Sequence, residues 1–568
     1  MHLLRSVPGA LVLIVQLACL ANAQTEAPPP SLPFPDPTEP TRPAPLDLPV
    51  PEPLPPEVPL DIPETPDSEG PAVPPSLEEE RFTIDRIEVL GNTVLDEDIA
   101  ALVQPLEGKN LSLAQLLDLR TAITDLYLRS GYRTSGAFLP SGQNLSSRVV
   151  QIQVIEGSVE AIQVNGLGHL REGYVRDRIS LATQPPLNIP RLEDALRLLQ
   201  IDPLLERVDA ELTAGSRPGQ NLLILDLAEA DPFAVALTVD NSRSTSIGSV
   251  QAEALALHRN VLGFGDFASA RYGHTRGLNL YELRYGLPVN AYDGTLQVRY
   301  ENASSRIITP QFVDAGIRNE SETFSVSLRQ PLTRSINQEW ALGLALDLRR
   351  SRSFILNDIP FSFSIGPENG VANVSALRFS QEWLARDISR VLSARSQFSL
   401  GLNIFDATVN DTGADGQFFS WLGQVQWVEQ FSPGLLLVSR LNAQLTPDSL
   451  LPLERFSVGG VDTVRGYAQN QLVTDNAVIG SVELRVPLSA VPNQLQLIPF
   501  IDAGTGWNTQ TDNPNPSVLL GTGLGVQWQP IADANLRLTY GIPLIGVPNR
   551  GNSLQENGFY FSFTYQPF

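Results

Sequence analysis

From Pro232 to Phe568 the chain alternates apolar and polar residues with a period of two. Trp340, Leu342, Leu344, Leu346 and Leu348 share one face, and Ala341, Gly343, Ala345, Asp347 and Arg349 share the other. The pattern returns at Phe324-Val326-Leu328, Phe398-Leu400-Leu402-Ile404, Val482-Leu484-Val486, Leu524-Val526-Trp528 and Leu536-Leu538-Tyr540. The opposite faces there carry Ser325, Asn403, Glu483, Arg485, Gln527, Arg537 and Thr539. This period predicts strands throughout residues 231–568, and by itself it fits a soluble sandwich as well as a membrane barrel.

Upstream the pattern changes to strands mixed with helices. Phe82 to Val89 alternates as a strand and Gly91-Asn92 closes it with a turn. Asp96 to Val103 reads as a short helix. Ser112 to Ser130 reads as a longer one, with Leu113, Leu116, Leu117, Leu119, Ile123, Leu126 and Tyr127 at helical spacing and Gly131 ending it. Strands at Tyr132 to Leu139 and Arg148 to Glu156 complete a β-α-α-β-β unit. A second copy follows: a strand from Val159 to Val164, a turn at Asn165-Gly166, helices near Glu172–Ser180 and Pro190–Leu199, then strands around Arg207–Thr213 and Asn221–Leu227. The expected divisions are 81–157 and 158–230 for these units and 231–568 for the strand-rich part.

The beginning of the chain changes the picture of where it works. Arg5, an apolar stretch from Gly9 to Leu20, and Ala21-Asn22-Ala23 ahead of Gln24 make residues 1–23 a secretory signal peptide. Gln16 and Leu17 fit poorly with a lipoprotein signal at Cys19. Cleavage after Ala23 would remove the only Cys and the only Met, excluding disulfide, thiolate or Cys-metal chemistry in the mature chain. No apolar run reaches about 18 residues beyond the signal, so no helical membrane span is expected.

Residues 24–80 hold 20 of the 46 prolines, with 13 acidic residues against the single Arg42. Such a stretch cannot bury a core and reads as a disordered, extended spacer, the alternative being a Pro-rich docking ligand. The whole chain carries a net charge of −23, which argues against attraction to nucleic acid phosphates or anionic lipid surfaces.

Export, apolar strand faces opposed to charge-bearing ones, and an aromatic-rich last strand from Phe559 ending at Phe568 favour an outer-membrane β-barrel. Gln566 and Pro567 interrupt the alternation just before that terminal Phe.

Two β-α-α-β-β units ahead of such a barrel resemble the two-partner secretion transporters of the haemolysin activator and filamentous haemagglutinin transporter type. Val464-Arg465-Gly466-Tyr467, inside Gly459 to Tyr467, is similar to the family's Val-Arg-Gly-aromatic loop motif. Phe500-Ile501-Asp502-Ala503-Gly504 is similar to its Phe-x-Asp-x-Gly strand motif. Asn260 to Asp266 and Tyr285-Gly286-Leu287-Pro288 resemble its early hairpins. The resemblance covers about residues 82–568 and implies two POTRA units, sixteen strands, and a loop folded back into the barrel with Arg465 at its tip and Asp502 facing the lumen. Phe568 would serve as the barrel assembly signal.

A guanidinium in a partly dehydrated lumen needs a carboxylate, and the planar fork of Arg465 can meet Asp502 with two parallel hydrogen bonds. Gly466 frees the turn and Tyr467 can wedge against the wall. The expected role is a latch on the loop; the bland alternative is a solvated arginine. The units are expected to bind an unfolded partner polypeptide by strand addition, or else to act as rigid spacers.

The family reading is export of a secreted partner of adhesin or cytolysin type, with outer-membrane lipid around the barrel and the barrel assembly machinery as a partner in biogenesis. No nucleic acid, cofactor or metal is expected. His2, His169, His258 and His274 have no metal-ligand spacing, and Gly521-Thr522-Gly523-Leu524-Gly525 continues as a strand rather than opening a helix as a nucleotide loop does. No grouped catalytic residues point to an enzyme. An outer-membrane assembly insertase and a passive porin-like channel are the alternatives; an insertase usually carries more than two periplasmic units. No helical pattern in residues 24–80 suggests a plug.

Overall fold

Every strand of the C-terminal part finds a neighbour on both sides, because the sheet closes on itself. The computed structural model describes residues 37, 38, 40, 81–143, 147–491, 493–548 and 550–567. The signal peptide expected over residues 1–23, nearly all of the proline-rich stretch and Phe568 lie outside these residues. Pro37 and Pro40 are buried and Thr38 is half-buried.

The first unit opens with β1 (Arg81–Ile84) and β2 (Arg86–Leu90), then α1 (Asp96–Val103), β3 (Lys109–Ser112), α2 (Leu113–Arg129), β4 (Gly136–Phe138) and β5 (Val149–Ile155). Ser112 starts α2 by a reciprocal cap, its hydroxyl accepting from the Gln115 N–H while the Gln115 side chain accepts from the Ser112 N–H. Leu116, Leu119, Ile123 and Tyr127, four of the seven residues of the expected stripe, are buried against Val150, Ile152 and Val154 of β5.

The expected strand over Phe82–Val89 is broken into two. The N–H groups of both Asp85 and Arg86 turn to the carbonyl of Arg148, so β1 pairs with β3 while β2 runs parallel to β5 in a different sheet. The strand expected from Tyr132 shrinks to Gly136–Phe138. Gly131, at φ 89°, lets Tyr132 N–H reach back to the Tyr127 carbonyl, which holds the preceding residues in a helix-ending turn.

The second unit contains β6 (Ser158–Asn165), α3 (Glu172–Ser180), α4 (Ile189–Gln200), β7 (Leu205–Ala214) and β8 (Gln220–Glu229), with the sheet order β6-β8-β7. Its core, including Val175, Ile179, Leu192, Leu196, Leu223 and Leu225, is separate from that of the first unit.

The barrel begins with β9 (Phe233–Asp240), β10 (Gln251–Arg259), β11 (Phe267–His274), β12 (Leu278–Pro288), β13 (Thr295–Arg306), β14 (Arg318–Arg334) and β15 (Gln338–Ile355). A two-residue β16 (Ile359–Pro360) precedes β17 (Val371–Arg386), β18 (Arg390–Gly401), β19 (Phe419–Ser432) and β20 (Leu435–Leu445). β21 (Phe456–Val458) and β22 (Leu472–Thr474) form a separate hairpin. The wall resumes with β23 (Asn476–Pro487), β24 (Leu495–Trp507), β25 (Val518–Ile531), β26 (Ala534–Pro543) and β27 (Phe559–Tyr565). β15 pairs directly with β17, and β27 pairs with β9, so sixteen antiparallel strands close the barrel. Leu402, Asn403 and Ile404, expected in a strand, lie beyond the end of β18.

The outward faces are apolar and exposed, among them Trp340, Leu344, Leu524, Trp528 and Leu538. Exposed apolar surface repeated around a closed barrel is stable only in lipid. Among the described residues no helix is long and apolar enough to cross a membrane.

The second unit is seated on the barrel's first turns. Arg171 N–H donates to the Gly263 carbonyl, its guanidinium lies 3.7 Å from the centre of the Phe264 ring, and Arg178 pairs with Asp293 at 2.5 Å. Two of the early motifs meet here: the Tyr285 hydroxyl donates to Asp266, which is fully buried and also accepts from the Leu262 N–H.

Candidate functional site: a loop latched inside the barrel

The connection between β20 and β23, residues 446–475, folds into the barrel. Its β21–β22 hairpin buries Phe456, Val458, Val464, Tyr467 and Leu472 against inward-facing Ala477 and Ile479 of β23 and Leu519 of β25. The hairpin's far end carries Val464-Arg465-Gly466-Tyr467.

Arg465 is 3 % exposed. Its Nε and Nη2 donate to the two carboxylate oxygens of Asp502 at 2.7 and 2.8 Å, and its backbone N–H donates to the same carboxylate at 3.0 Å. The guanidinium also donates to Glu483 at 3.0 Å and to Ser481 at 3.2 Å, and it lies 3.6 Å from the centre of the Phe500 ring. Four hydrogen bonds and a ring face offset the desolvation of a buried cation.

Strand alternation explains the convergence. Phe500, Asp502 and Gly504 occupy every second position of β24 and therefore all face the lumen. Gly504 leaves room: a Cβ there would stand 2.8 Å from both Val458 and Val464. Ser481 is the cross-strand partner of Asp502 and donates to it at 2.7 Å.

Gly466 has φ 102°, a conformation L side chains rarely adopt, and a Cβ there would press on the Pro543 backbone nitrogen at 2.9 Å. Its N–H donates to the Tyr560 hydroxyl, which donates in turn to the Tyr467 carbonyl. The Tyr467 hydroxyl sits among backbone groups of Leu520 and Ile545, 2.8 and 2.9 Å from their carbonyl oxygens.

The structure thus brings together Val464, Arg465, Gly466, Tyr467, Phe500, Asp502 and Gly504. Sequence reasoning did not assign Glu483, Ser481 or Tyr560 to this group. Glu483 accepts from Arg485 and Arg537, and Arg440 lies 3.6 Å away. Its signal was present in the alternation, which puts Glu483 and Arg485 on one inward face. Tyr560 sits between outward Phe559 and Phe561, so the same period points it inward.

The site can hold a chain segment in place: its carboxylates are occupied by arginines. Among the described residues no group of three or more His, Cys, Asp or Glu is arranged to hold a metal ion.

A closed barrel with lipid-facing outer strands, two α+β units on one end and an arginine-tipped loop within define an outer-membrane transporter. Residues 219–528 match the family model described as haemolysin secretion/activation protein ShlB/FhaC/HecB, and residues 82–157 match a POTRA domain of ShlB type. The chain belongs to this haemolysin secretion/activation family, the transporters of two-partner secretion.

It is 25 % identical over 486 residues to the outer membrane transporter CdiB of Escherichia coli O6:K15:H31, covering 82 % of this chain and 79 % of that one. It is 24 % identical to CdiB of Dickeya dadantii, covering 78 % and 80 %. The solved structure of CdiB from Escherichia coli superposes with a TM-score of 0.67 at 22 % identity, covering 89 % of this chain and 93 % of that one, which agrees in fold. The barrel lies in the outer membrane, the two units lie in the periplasm, and the cargo is a secreted partner protein.

Proposed function

We propose that the chain exports one large polypeptide of adhesin or cytolysin type, taking it unfolded from the periplasm and passing it through the barrel once the 446–475 loop lets go. Residues 81–157 and 158–230 serve as the receiving units and 231–568 as the conduit, after a signal peptide over residues 1–23 has directed the chain out of the cytoplasm. Outer-membrane lipid surrounds the wall, the barrel assembly machinery inserts it with Phe568 as the signal, and no nucleic acid, cofactor or catalysis takes part.

The observation that carries this reading is the buried Arg465 held by both oxygens of Asp502. A passive channel has no need of a loop tip paired inside its lumen, whereas a gated conduit needs a contact that is specific and breakable.

For reception, β7 is the favoured edge. It has a strand on one side only and runs for ten residues, with Glu206, Arg207, Asp209 and Glu211 exposed. β4 has three residues, and beyond it the Gln143 amide already occupies the N–H and carbonyl of Gln151 at 2.7 and 2.8 Å. β6 carries a register shift at Glu160, whose side chain is tied to Ser216.

Deleting the gene and comparing secreted proteins tests the reading. Loss of one or two large exported proteins, restored by the wild type and not by Arg465→Ala, is the expected result. An unchanged secretome with many outer-membrane barrels depleted would replace it with the insertase reading.

A further inference from the structure

The loop is held at a second place on the wall, five strands round from the β24 that carries Asp502. Before reaching its hairpin, the chain lays Leu450, Leu451 and Leu453 on the small inward residues Ala372, Val374 and Ala376 of β17, where all six are buried. Glu454 follows, 4 % exposed. Its carboxylate accepts from Arg378 at 2.9 and 3.0 Å and from Arg349 at 2.9 Å. Arg378 is fixed in turn by Asp347 at 2.6 Å and Ser399 at 2.9 Å.

Two features distinguish this base from the tip. First, the base ties both ends of the loop together. Asp475 accepts from the Leu450 N–H at 3.0 Å, pairs with Arg455 at 3.4 Å, and also accepts from the Thr509 N–H at 3.0 Å. Beyond this staple the β21–β22 hairpin carries its own backbone ladder, from Phe456↔Thr474 to Val458↔Leu472, so it can move as one piece.

Second, the charge is distributed unequally. The base sets Arg349 and Arg378 against Asp347 and Glu454, two cations to two anions. Around the tip, Arg440, Arg465, Arg485 and Arg537 meet only Asp502 and Glu483. When Arg465 leaves, Arg440, Arg485 and Arg537 still pair with Glu483, and Asp502 keeps the Ser481 hydroxyl. When Glu454 leaves, two half-buried arginines, Arg349 and Arg378, lose the carboxylate they share.

We propose that the loop works as a hinged strap, with Glu454 as the positioning residue that keeps residues 450–455 seated on β17 while the Arg465 tip swings out. This rests on Arg465 being the latch of the export reading. The opening of the pore is then limited to the space the hairpin vacates, and the seated base continues to narrow the lumen.

The purified full chain in planar bilayers under KCl tests this without any exported partner, so its failure is distinguishable from failure of the export reading. Arg465→Ala is expected to open more often to the conductance level the wild type reaches. Glu454→Gln is expected to add a larger level, as the base also comes off the wall, and Arg378→Gln should reproduce it from the other side of the contact. Migration of unheated samples in SDS gels checks that each barrel is folded; if Glu454→Gln is not, the shorter Glu454→Asp takes its place. The same set of levels in Arg465→Ala and in the folded Glu454 and Arg378 variants would overturn the proposal.

Discussion

The hydroxyl of Tyr560 stands 2.6 Å from the carbonyl oxygen of Tyr467, joining the last barrel strand to the tip of a loop 93 residues earlier in the chain. The same oxygen accepts from the Gly466 N–H at 2.8 Å, so one phenol satisfies two buried backbone groups at the turn after Arg465. Tyr560→Phe leaves both without that partner. We expect the tip to be destabilised by about 1–3 kcal/mol, the usual cost of unmet buried polar groups. Faster protease cleavage within residues 459–471 in the otherwise intact barrel checks this.

Arg465→Lys separates charge from geometry. An ammonium keeps the positive charge but cannot span both oxygens of Asp502 while also meeting Glu483 and Ser481. Export is expected to fall well below wild type and to stay above Arg465→Ala, read from partner protein in the culture medium. Equal export by Lys and Arg would show that charge alone suffices.

Gly466→Ala adds a Cβ at φ 102° and 2.9 Å from the Pro543 nitrogen. Backbone strain and crowding together are expected to cost about 1–3 kcal/mol. The loop tip should detach more often, seen as increased channel opening in bilayers with the barrel still folded.

Arg178→Ala removes the pairing of α3 with Asp293 in the turn between β12 and β13. Burial lowers the Arg178 guanidinium below its ordinary value, although Tyr174, Asp202 and Asp177 partly counter this, so the residue is held charged in an enclosed place by its partners. Losing such a charge-assisted contact is expected to cost about 1.5–3 kcal/mol at the junction. Spin labels on the second unit and on the barrel rim should report a broader distance distribution than in the wild type.

Glu229 gives the second unit a pH dependence. Burial pushes its carboxyl up, but the N–H groups of Leu170, Gly168 and His169 more than offset this and hold it below the usual carboxylate range. A depressed folded-state value means the stabilisation is fully present above the unfolded value, about pH 4.3, and is lost as pH falls through the folded one. Protection of the amides in residues 166–172, taken relative to their intrinsic exchange rates, should therefore fall as the medium is acidified below about pH 4. Glu229→Gln should raise exchange at neutral pH and flatten that dependence.

Much of the architecture follows from local periodicity. The stripe Leu116, Leu119, Ile123 and Tyr127 marked α2 because a 3.6-residue period leaves one face apolar. The two-residue period of β15 separated Leu342, Leu344 and Leu346 from Asp347 and Arg349 before any lumen was known, since successive side chains leave a strand on opposite sides. The same rule put Glu483 and Arg485 on the face opposite Val482 and Leu484, while a lumen-facing Asp502 was what the family resemblance implied. The Val-Arg-Gly-Tyr and Phe-x-Asp-x-Gly segments carried the family resemblance, and with it the pairing of Arg465 to Asp502.

What a sequence period does not contain is register across distant strands. Nothing near Phe82 says that Asp85 will surrender its N–H to Arg148 and split a strand between two sheets. Glu454 ends a three-residue 3₁₀ turn, Pro452–Glu454, too short to show a period in the sequence. Its partners Arg349 and Arg378 lie 105 and 76 residues earlier, on two strands of the wall. The chain determined which faces are polar and which segments are strands, because those depend on neighbours a few residues away. Which inward charge meets which was decided only by barrel closure and by the path of residues 446–475 through the lumen, because a buried ion pair depends on distances that exist only after the wall has closed.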